Sequence, residues 1–534
     1  MKNLTELAGS VVGASVHGAA EVSDICYDSR KAKPGDLFVC VRGLASDGHK
    51  FAADAVAKGA VALVVEEPVA GVDVPYIQVP DGRRALALIA AAFYDHPADK
   101  LLNIGITGTN GKTTTAFLTS AVLQSLGKNP GLLGTIEARI GDKTLQLPNT
   151  TPESMDLQRY LSEMRQCDQD AVVMEVSSHA LALDRVLGIP YDIAVFTNLT
   201  QDHLDFHANM DEYFAEKSKL FLGLGTHKGR PAGPYAVINI DDEYGRKLYE
   251  LVRYRVPVIT YGTDKNADVR AFNVIATPNG LSFIVETRME ACQVELPMSG
   301  AFNVYNCLAA ISVGIALRGE LSAIVAGVEA VSLVPGRFQL VREGQPFTVI
   351  VDYAHTPDGL QNVLKSAREI TSGELTVVFG CGGDRDRGKR PIMGRIAADL
   401  ADKLVITSDN PRSESAEDII EQIMEGVRSS AATPKVLINA DRGEAIALAI
   451  AEAKDGDTIV VAGKGHEKYQ KFKDRTIHFD DVERARECLR KRDYQLMLNK
   501  AVPSVRLHFV WDRSVLRTDN EILDCLEKQK RDAV

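Results

Sequence analysis

The sequence predicts an α/β protein of several domains, and two observations lead to that prediction. The chain has 534 residues, which is too long for one ordinary hydrophobic core, so two to four domains are expected. Over most of its length, short apolar runs typical of strands alternate with longer runs typical of helices. Such alternation indicates mainly parallel sheets with helices on both faces. Ligands bind these sheets at the carboxyl ends of the strands, so the loops that follow the strands should hold the functional residues.

The first predicted domain covers residues 1–98. Strand-like runs lie at 36–41 and 61–65. The loops at 28–30 and 43–49 are rich in hydrogen-bonding side chains, although a surface turn would have the same composition. A polar segment with a proline, at 94–100, indicates the domain boundary.

A glycine-rich loop opens the second predicted domain, residues 99–333. Its sequence is Gly-Thr-Asn-Gly-Lys-Thr-Thr at 108–114. The backbone N–H groups of such a loop, together with the positive end of a helix dipole, favour a bound phosphate. Lys112 can reach terminal phosphates, and Thr113 can offer its hydroxyl to Mg²⁺. The general P-loop has glycine where this chain has Ile106, so only Gly-Lys-Thr fits that motif strictly.

Polar side chains follow the other predicted strands of this domain. Residues 175–179 follow one strand and residues 198–205 follow the next, while Thr150 or Thr151 is expected to cap a helix. Because these groups should converge beside the phosphate loop, we interpret them as metal ligands and substrate contacts rather than ordinary surface residues. The predicted strands are 101–107, 171–176, 193–197 and 235–240, and the predicted helices are 113–125, 154–164, 210–222 and 302–317.

The third predicted domain, residues 334–495, begins at a proline–glycine break and has the same alternation. Its predicted strands are 347–351, 376–379, 403–407 and 458–461, and the polar loops that follow them are 352–357, 380–391, 408–414 and 463–467. The last loop contains Gly-Lys-Gly-His-Glu, a weak phosphate motif because no Ser or Thr follows the lysine. Cys381 is expected to be a packed small residue rather than a reactive thiol. The remaining segment, 496–534, has no chemical motif and is expected to be a peripheral extension rather than a partner-binding tail.

Composition excludes several functional classes. The formal net charge of −11 argues against broad nucleic-acid binding. No apolar run approaches the length of a membrane span, and the N-terminus lacks the apolar core of a signal peptide, so a cytoplasmic protein is expected. The eight cysteines include no Cys-x-x-Cys pair, which indicates reduced thiols rather than a zinc site or disulfides.

The motifs, in their order along the chain, resemble those of the Mur ligase family over about residues 20 to 490. They are the segments 108–114, 175–179, 198–205, 303–306, 352–357 and 409–412. The resemblance implies a small α/β N-terminal UDP-binding domain, a central P-loop-type ATPase domain with a mainly parallel sheet, and a C-terminal Rossmann-like α/β domain that receives an amino acid. It also implies an ATP-dependent ligase of peptidoglycan precursor synthesis. A monomer is expected. ATP would phosphorylate the terminal carboxylate of UDP-MurNAc-L-Ala-D-Glu, and an amine would then displace the phosphate.

Residue by residue, the resemblance implies three binding sets. ATP would be bound by Gly108, Thr109, Asn110, Gly111, Lys112, Thr113, Thr114, Asn303, Asn306, Arg337 and Asp352. The UDP-sugar substrate would be bound by Ser29, Leu44, Ala45, Ser46, Asn149, Thr150, Thr151, Ser177 and Arg185. The amino acid would be bound by Arg385, Asp409, Asn410, Pro411, Arg412, Gly463 and Glu467. One departure is Leu183, which stands where some relatives have a glutamine.

The implied catalytic residues are Lys112, Lys217, His203 and Glu175, and the implied cofactor is Mg²⁺. The ligands of the ion would be Thr113, Glu175, His203 and Lys217, the last as its carbamate (N6-carboxylysine). Carbamylation turns an ammonium, which would repel the ion, into an anion that attracts it. The neighbouring Lys219 is expected to be a plain surface lysine.

The tetrapeptide Asp409-Asn410-Pro411-Arg412 resembles the form found in enzymes that add meso-2,6-diaminopimelate. The guanidinium of Arg412, helped by Arg385, would bind the distal carboxylate of this substrate, whereas L-lysine would bring only an ammonium. The alternatives are the same reaction with L-lysine, or a folylpolyglutamate synthase-like ligase. A non-catalytic P-loop protein would lack Glu175, His203 or Lys217, and all three are present. Because all three domains supply site residues, closure about a hinge at 334–337 is expected.

Overall fold

The computed structural model describes residues 1–43, 46–227, Arg230 and 232–501, with side chains to residue 492. Met1–Cys488 group into one unit, and Leu489–Val534 form a second. Leu44 and Ala45, predicted to contact the UDP-sugar, lie outside the described residues, as does the predicted extension beyond residue 501. None of the described helices is long and apolar enough to cross a membrane.

The N-terminal part is a five-stranded sheet with helices against it. Its elements are β1 (Lys2–Asn3), α1 (Leu4–Ala8), β2 (Ser15–His17), β3 (Glu21–Val22), β4 (Asp24–Cys26), β5 (Asp36–Val39), α2 (Ala52–Ala57), β6 (Ala62–Val65), β7 (Tyr76–Gln78) and α3 (Gly82–Phe93). The strand order is β2-β7-β6-β5-β4, parallel except for β2, and β1 pairs with β3. Leu37, Val39 and Val64 are buried in one core with the apolar side of α3.

The central part is an eleven-stranded sheet between two helical layers. Its elements are β8 (Leu102–Thr107), α4 (Lys112–Ser125), β9 (Pro130–Leu133), β10 (Ala138–Ile140), β11 (Lys143–Leu145), α5 (Ser154–Gln166), β12 (Ala171–Glu175), α6 (Ser178–Ala182), β13 (Ile193–Phe196), α7 (Met210–Leu222), β14 (Tyr235–Asn239), α8 (Glu243–Val252), β15 (Val258–Gly262), β16 (Val269–Thr277), β17 (Gly280–Glu286), β18 (Ala291–Leu296), α9 (Asn303–Ala316) and α10 (Leu321–Glu329). The order is β11-β10-β9-β12-β8-β13-β14-β15-β16-β17-β18. In this sheet order, the seven neighbouring strands β9-β12-β8-β13-β14-β15-β16 run parallel. Antiparallel hairpins close both edges.

The register of this sheet brings the predicted site loops together. Glu175 at the end of β12 lies opposite Ile106 of β8, and Phe196 at the end of β13 lies opposite Thr107. The three strands therefore end at the same level, and the loops that follow them meet at one edge of the sheet.

The C-terminal part is a six-stranded sheet covered by helices. Its elements are β19 (Gln339–Leu340), β20 (Thr348–Asp352), α11 (Pro357–Glu369), β21 (Leu375–Phe379), α12 (Lys389–Leu400), β22 (Lys403–Ile406), α13 (Ala416–Ser429), β23 (Lys435–Ile438), α14 (Arg442–Glu452), β24 (Thr458–Ala462), β25 (Tyr469–Lys471), β26 (Thr476–His478) and α15 (Asp481–Ala501). The order is β19-β20-β24-β21-β22-β23, parallel except for β19, and β25 pairs with β26.

The predicted fold class is confirmed, because three α/β sheets follow one another and the central one is mainly parallel. The domain boundaries at 98, 333 and 495 stay predictions. The predicted capping of α5 by Thr150 or Thr151 is wrong: Glu153 is the N-cap residue and makes no side-chain capping bond. The hydroxyl of Thr151 instead donates to the carbonyl oxygen of Glu175 at 2.8 Å. Cys381 is buried, as expected, and burial raises the pKa of its thiol to about 12.

Candidate active site

A cavity of about 440 Å³ lies at the carboxyl edge of the central sheet. Its walls come from the loops after β8, β12 and β13, from helices α7 and α9, and from the segment between β20 and α11 of the third sheet. All four predicted catalytic residues line it: Lys112, Glu175, His203 and Lys217. The position agrees with the rule that ligands of parallel sheets bind beyond the carboxyl ends of the strands.

The phosphate loop packs so closely on its surroundings that two of its positions accept only glycine. Gly108 has φ +145°, and a Cβ there would lie 1.9 Å from Oγ1 of Thr197. Gly111 has φ +86°, and a Cβ there would lie 2.3 Å from Oδ1 of Asn306. The remaining loop residues, Thr109, Asn110, Lys112, Thr113 and Thr114, line the cavity. Since the loop leads directly into α4, this wall offers backbone N–H groups and a helix dipole to an anion.

Two lysines converge on the carbonyl groups of this loop. Lys112 Nζ donates to the carbonyl oxygens of Gly108 at 3.0 Å and Thr109 at 2.7 Å. Lys217 Nζ donates to the same Gly108 carbonyl at 2.9 Å and lies 4.7 Å from the ring centre of Tyr213. Burial lowers the pKa of Lys112. Burial, with the nearby charge of Lys112 as a second cause, holds the pKa of Lys217 well below its usual range. By contrast, Lys219 is exposed and pairs with Glu216, as expected of a surface lysine.

Glu175 is a buried carboxylate of the site. Its Oε2 accepts from the hydroxyl of Thr113 at 3.0 Å, and the backbone N–H and hydroxyl of Thr135 donate to its two oxygens at 2.8 and 3.0 Å. Sequence reasoning missed Thr135, although it lies just beyond the carboxyl end of β9, where a search of every strand end would have found it. A carboxylate beside a hydroxyl is a hard oxygen donor set that fits Mg²⁺.

Three histidines form an aromatic group, of which His203 lines the same cavity as Glu175. His203 has φ +56°, and its ring centre lies 4.9 Å from that of His179, which is 5.9 Å from that of His207. Burial lowers the pKa of all three imidazoles, so they are neutral near pH 7 and their nitrogens can act as metal ligands. Among the described residues, no group of three or more His, Cys, Asp or Glu side chains is arranged to hold a metal. The predicted ligand set contains only two such residues, Glu175 and His203, and depends on a hydroxyl and a modified lysine for the rest.

The third sheet reaches the phosphate loop at two points. Arg337 lies 4.4 Å from the ring centre of Tyr353, and its Nη2 donates to the hydroxyl of Thr113 at 3.1 Å. Nη1 of Arg337 is buried without a hydrogen-bond partner among the described residues, so it can donate a hydrogen bond to an anionic oxygen of a ligand. Asn110 Nδ2 donates to Asp358 Oδ2 at 2.7 Å. Asp358 was not predicted, although it belongs to the first turn of a helix that follows a parallel strand.

Asp352 acts on this arrangement through the backbone. Its two carboxylate oxygens accept from the backbone N–H groups of Phe338 at 2.6 Å and Ala354 at 2.7 Å. Phe338 has φ +44°, so the carboxylate holds a strained turn next to Arg337. Burial raises the pKa of Asp352 from its ordinary value of 3.8 to about 6.

The two predicted asparagines lie behind the phosphate loop. Asn306 donates to Asn303 Oδ1 at 2.9 Å, and Asn303 donates to the carbonyl oxygen of Ser299 at 2.7 Å. Asn306 Oδ1 accepts from the hydroxyl of Thr115 at 3.3 Å. Asn306 lines the cavity, whereas Asn303 is buried behind it and fixes its orientation.

The structure divides the residues predicted for the UDP-sugar. Thr150 and Ser177 line the cavity. Thr151 and Arg185 lie beneath it, where Arg185 donates to the carbonyl oxygen of Thr151 at 3.2 Å. The others do not line the cavity: Asn149 is exposed before α5, Ser29 follows β4, and Ser46 follows β5. Ser29 and Ser46 therefore belong to the carboxyl edge of the N-terminal sheet.

The residues predicted for the amino acid meet at the carboxyl edge of the third sheet. They are Arg385 after β21, Asp409, Asn410, Pro411 and Arg412 after β22, and Gly463 and Glu467 after β24. Asn410 donates to Glu467 Oε2 at 2.9 Å. Gly463 has φ +117°, and a Cβ there would lie 2.8 Å from Asp409 Oδ2. The three loops therefore form one cluster, which is separate from the cavity lining.

The two arginines of this cluster differ in their surroundings. Arg412 has φ +53°, and its Nη1 donates to the carbonyl oxygen of Gly383 at 2.6 Å, which ties the loops after β21 and β22 together. Arg385 is exposed and donates to the carbonyl oxygen of Asp384 at 2.9 Å. The weak phosphate motif at 463–467 does not form a phosphate loop, because Lys464 is fully buried and pairs with Glu467.

Three family models match successive parts of the chain. The Mur ligase family catalytic domain matches residues 21–94, the Mur ligase middle domain residues 106–314, and the Mur ligase glutamate ligase domain residues 336–465. These matches cover each of the three sheets.

Curated relatives and solved structures agree with these models. The UDP-N-acetylmuramoyl-L-alanyl-D-glutamate--2,6-diaminopimelate ligase of Bacillus cereus is 47% identical and covers 88% of this chain and 95% of its own length. The enzyme of the same name from Geobacillus thermodenitrificans is 46% identical and covers 92% of this chain and 99% of its own length. A solved structure of an enzyme of this name has 33% identity and a TM-score of 0.62, and covers 88% of this chain and 95% of its own. A Thermotoga maritima MurF ligase in complex with ADP shares the fold, with a TM-score of 0.61 at 19% identity. The match covers 89% of this chain and 99% of the MurF chain.

With a glycine-rich loop and a buried carboxylate at one edge of the central sheet, a cluster of charged loops at the edge of the third sheet, and family models and relatives that cover most of its length, the chain belongs to the Mur ligase family.

Proposed function

We propose that the chain is an ATP-dependent ligase that adds meso-2,6-diaminopimelate to UDP-MurNAc-L-Ala-D-Glu in cytoplasmic peptidoglycan precursor synthesis. The observation that supports this best is the pairing of a phosphate-binding cavity on the central sheet with a cluster on the third sheet that contains Arg385 and Arg412. The first can transfer a phosphoryl group, and the second can hold an amino acid with an extra carboxylate. The curated relatives at 46–47% identity carry the name of this activity. Because one chain supplies all these residues, we expect it to act as a monomer.

The first step is phosphorylation of the substrate carboxylate. Lys112, which donates to loop carbonyls in this structure, would turn toward the β- and γ-phosphates of ATP. Nη1 of Arg337 would donate a hydrogen bond to a phosphate oxygen. Thr113 and Glu175, with His203, would hold Mg²⁺, which when bound neutralises the charge on the transferring group. The γ-phosphoryl group then moves to the carboxylate, and ADP leaves.

Lys217 fits a carbamate better than an ammonium. An amine reacts with CO₂ only when it is neutral, and the depressed pKa of Lys217 keeps a neutral fraction at working pH. The product is an anion that lines the cavity near Lys112, whose charge would repel an unmodified ammonium. The modification would thus supply the fourth group of the metal site.

The second step is attack by the amine of the incoming amino acid. Its nitrogen adds to the carbonyl carbon of the acyl phosphate, the tetrahedral intermediate expels inorganic phosphate, and an amide remains. Water would destroy the acyl phosphate, so the third domain has to close over the cavity before reaction. Asn110–Asp358 and Thr113–Arg337 are contacts that such closure would use.

The two remaining enzyme alternatives use the same phosphoryl chemistry with other amino acids. With L-lysine, Arg412 would face an ammonium that has no carboxylate beside it. A folylpolyglutamate synthase-like ligase would add glutamate, which has no distal ammonium for Glu467. Of the three amino acids, only meso-diaminopimelate brings both a distal carboxylate for Arg412 and a distal ammonium for Glu467.

A substrate panel tests the proposal directly. Purified protein is mixed with ATP, Mg²⁺ and UDP-MurNAc-L-Ala-D-Glu, and phosphate release is measured with meso-diaminopimelate, L-lysine or L-glutamate. Release is expected only with meso-diaminopimelate, and equal use of L-lysine would overturn the assignment. Arg412→Ala is expected to raise the KM for meso-diaminopimelate about 10- to 100-fold, as for the loss of a hydrogen bond to a charged group. The matched control is Arg395→Ala, which removes an exposed arginine of α12.

A further inference from the structure

Lys464 is a buried charge in the amino-acid cluster that the proposed mechanism does not use. Its side chain is fully buried, which is rare for lysine unless the ammonium is paired. Nζ donates to Glu467 Oε2 at 2.9 Å and to Asn410 Oδ1 at 3.2 Å, and it lies 5.3 Å from the ring centre of Tyr469. Both hydrogen-bond partners of this ammonium therefore belong to the cluster.

The effect of these contacts is to saturate one oxygen of Glu467. Oε2 accepts from both Lys464 and Asn410, whereas the described residues give Oε1 no hydrogen bond. The Glu467 side chain keeps 16% of its surface exposed. The carboxylate thus presents one oxygen for a ligand, and the other is fixed by two donors, one fully and one almost fully buried.

The second partner is itself held rigidly. Asn410 Oδ1 accepts from the backbone N–H of Lys471 at 2.9 Å as well as from Lys464. Gln470 donates to the carbonyl oxygen of Asp409 at 2.8 Å, which fixes the segment just before Asn410. Glu467 is therefore oriented by the loop after β22 and by its own loop together, with Lys464 joining the two.

We propose that Lys464 is a positioning residue for amino-acid selection: it holds the Glu467 carboxylate with Oε1 turned toward the substrate, so that Oε1 can accept from an ammonium group of the diamino acid. This inference rests on the proposed function. Lys464 does not touch substrate. It acts through Glu467, because without its ammonium the carboxylate would lose a charge-assisted hydrogen bond and could rotate.

The test is a double-mutant cycle with Lys464→Met and Glu467→Gln. Lys464→Met alone is expected to raise the KM for meso-diaminopimelate about 10- to 100-fold. The KM values for ATP and the UDP-dipeptide should stay near those of the wild type. In the Glu467→Gln variant, adding Lys464→Met should change the KM for meso-diaminopimelate little, because the carboxylate that Lys464 holds is already gone. Full additivity of the two effects, or an equal rise in all three KM values, would overturn the proposal.

Lys403→Met is the matched control for loss of a buried lysine. Lys403 is also nearly buried in the third sheet and pairs with a glutamate, Glu452, but it opens β22 instead of following a strand. This variant is expected to leave the KM for meso-diaminopimelate unchanged. A rise equal to that of Lys464→Met would show a general folding effect and overturn the assignment.

A thermal cycle decides the pairing even if Lys464→Met is too unstable to assay. Glu467→Ala leaves a buried ammonium without its anionic partner, so its unfolding midpoint should fall below that of the wild type. Adding Lys464→Met should restore at least a few degrees. No restoration would overturn the proposal. If the wild type does not use meso-diaminopimelate, the proposed function fails, and the thermal cycle still reports on the pairing alone.

Discussion

Asp352 should make the stability of the protein depend on pH in a direction opposite to that of most carboxylates. Burial raises its pKa from 3.8 to about 6 in the folded state. Between these two values the folded protein keeps the proton that the unfolded chain has released. Stability from this group is therefore complete below about pH 4 and is lost as pH rises through 6.

The magnitude follows from the size of the shift. Each pKa unit corresponds to about 1.4 kcal/mol, so the full loss is about 3 kcal/mol. About 1.4 kcal/mol of that loss falls between about pH 5 and pH 8, where the protein can be handled without acid denaturation. For a folded unit as long as Met1–Cys488, the unfolding entropy per residue means that 1 kcal/mol moves the thermal midpoint by about 1 °C.

The variant Asp352→Asn removes the titration and keeps the shape. It also weakens the bonds from Phe338 and Ala354, but this cost does not depend on pH and shifts the whole curve equally. The midpoint of the variant relative to the wild type should therefore rise by about 1–2 °C from pH 5 to pH 8. The assay is thermal unfolding of both proteins by circular dichroism across this range. A constant difference, or one that falls with rising pH, would refute the reasoning.

Three further substitutions test the cavity. Lys217→Ala should reduce phosphate release at least about 10³-fold by removing the proposed carbamate anion beside the transferring group. A short carboxylic acid should restore part of this activity, and no rescue at any concentration would argue against a carbamate. Gly111→Ala should abolish ATP binding in a calorimetric titration, because its Cβ would lie 2.3 Å from Asn306 Oδ1, and unchanged affinity would contradict the loop geometry. Thr135→Val should raise the Mg²⁺ concentration needed for half-maximal activity about tenfold, because Glu175 loses a hydroxyl donor. An unchanged Mg²⁺ requirement would mean that the orientation of Glu175 does not depend on Thr135.

Local pattern was enough for most of the fold. The apolar runs that predicted β8, β12, β13 and β14 correspond to strands that end within one residue of expectation, because a strand buried on both faces needs a continuous apolar run. The edge hairpins β10–β11 and β16–β18 were not predicted. Strands β17 and β18 alternate more buried with more exposed residues, and β11 is exposed throughout, so these short patterns resemble those of ordinary surface segments.

The sequence by itself determined the chemistry that each loop can carry. Glycines 108 and 111, Lys112 and Thr113 specify a phosphate site, and the parallel-sheet rule places Glu175 and His203 at the same edge. These inferences need only residue type, spacing and strand order.

The tertiary structure alone decided how those groups are tuned. Asn306 holds the underside of the loop from a position 191 residues beyond its partner Thr115. The surrounding chain removes both Lys217 and Lys464 from water. Burial therefore lowers the pKa of Lys217, and the buried ammonium of Lys464 forms an ion pair with Glu467. A surface lysine such as Lys219 has the same letter in the sequence. Burial and contacts between distant segments set hydrogen bonding and charge state, and neither can be read from the order of residues along the chain.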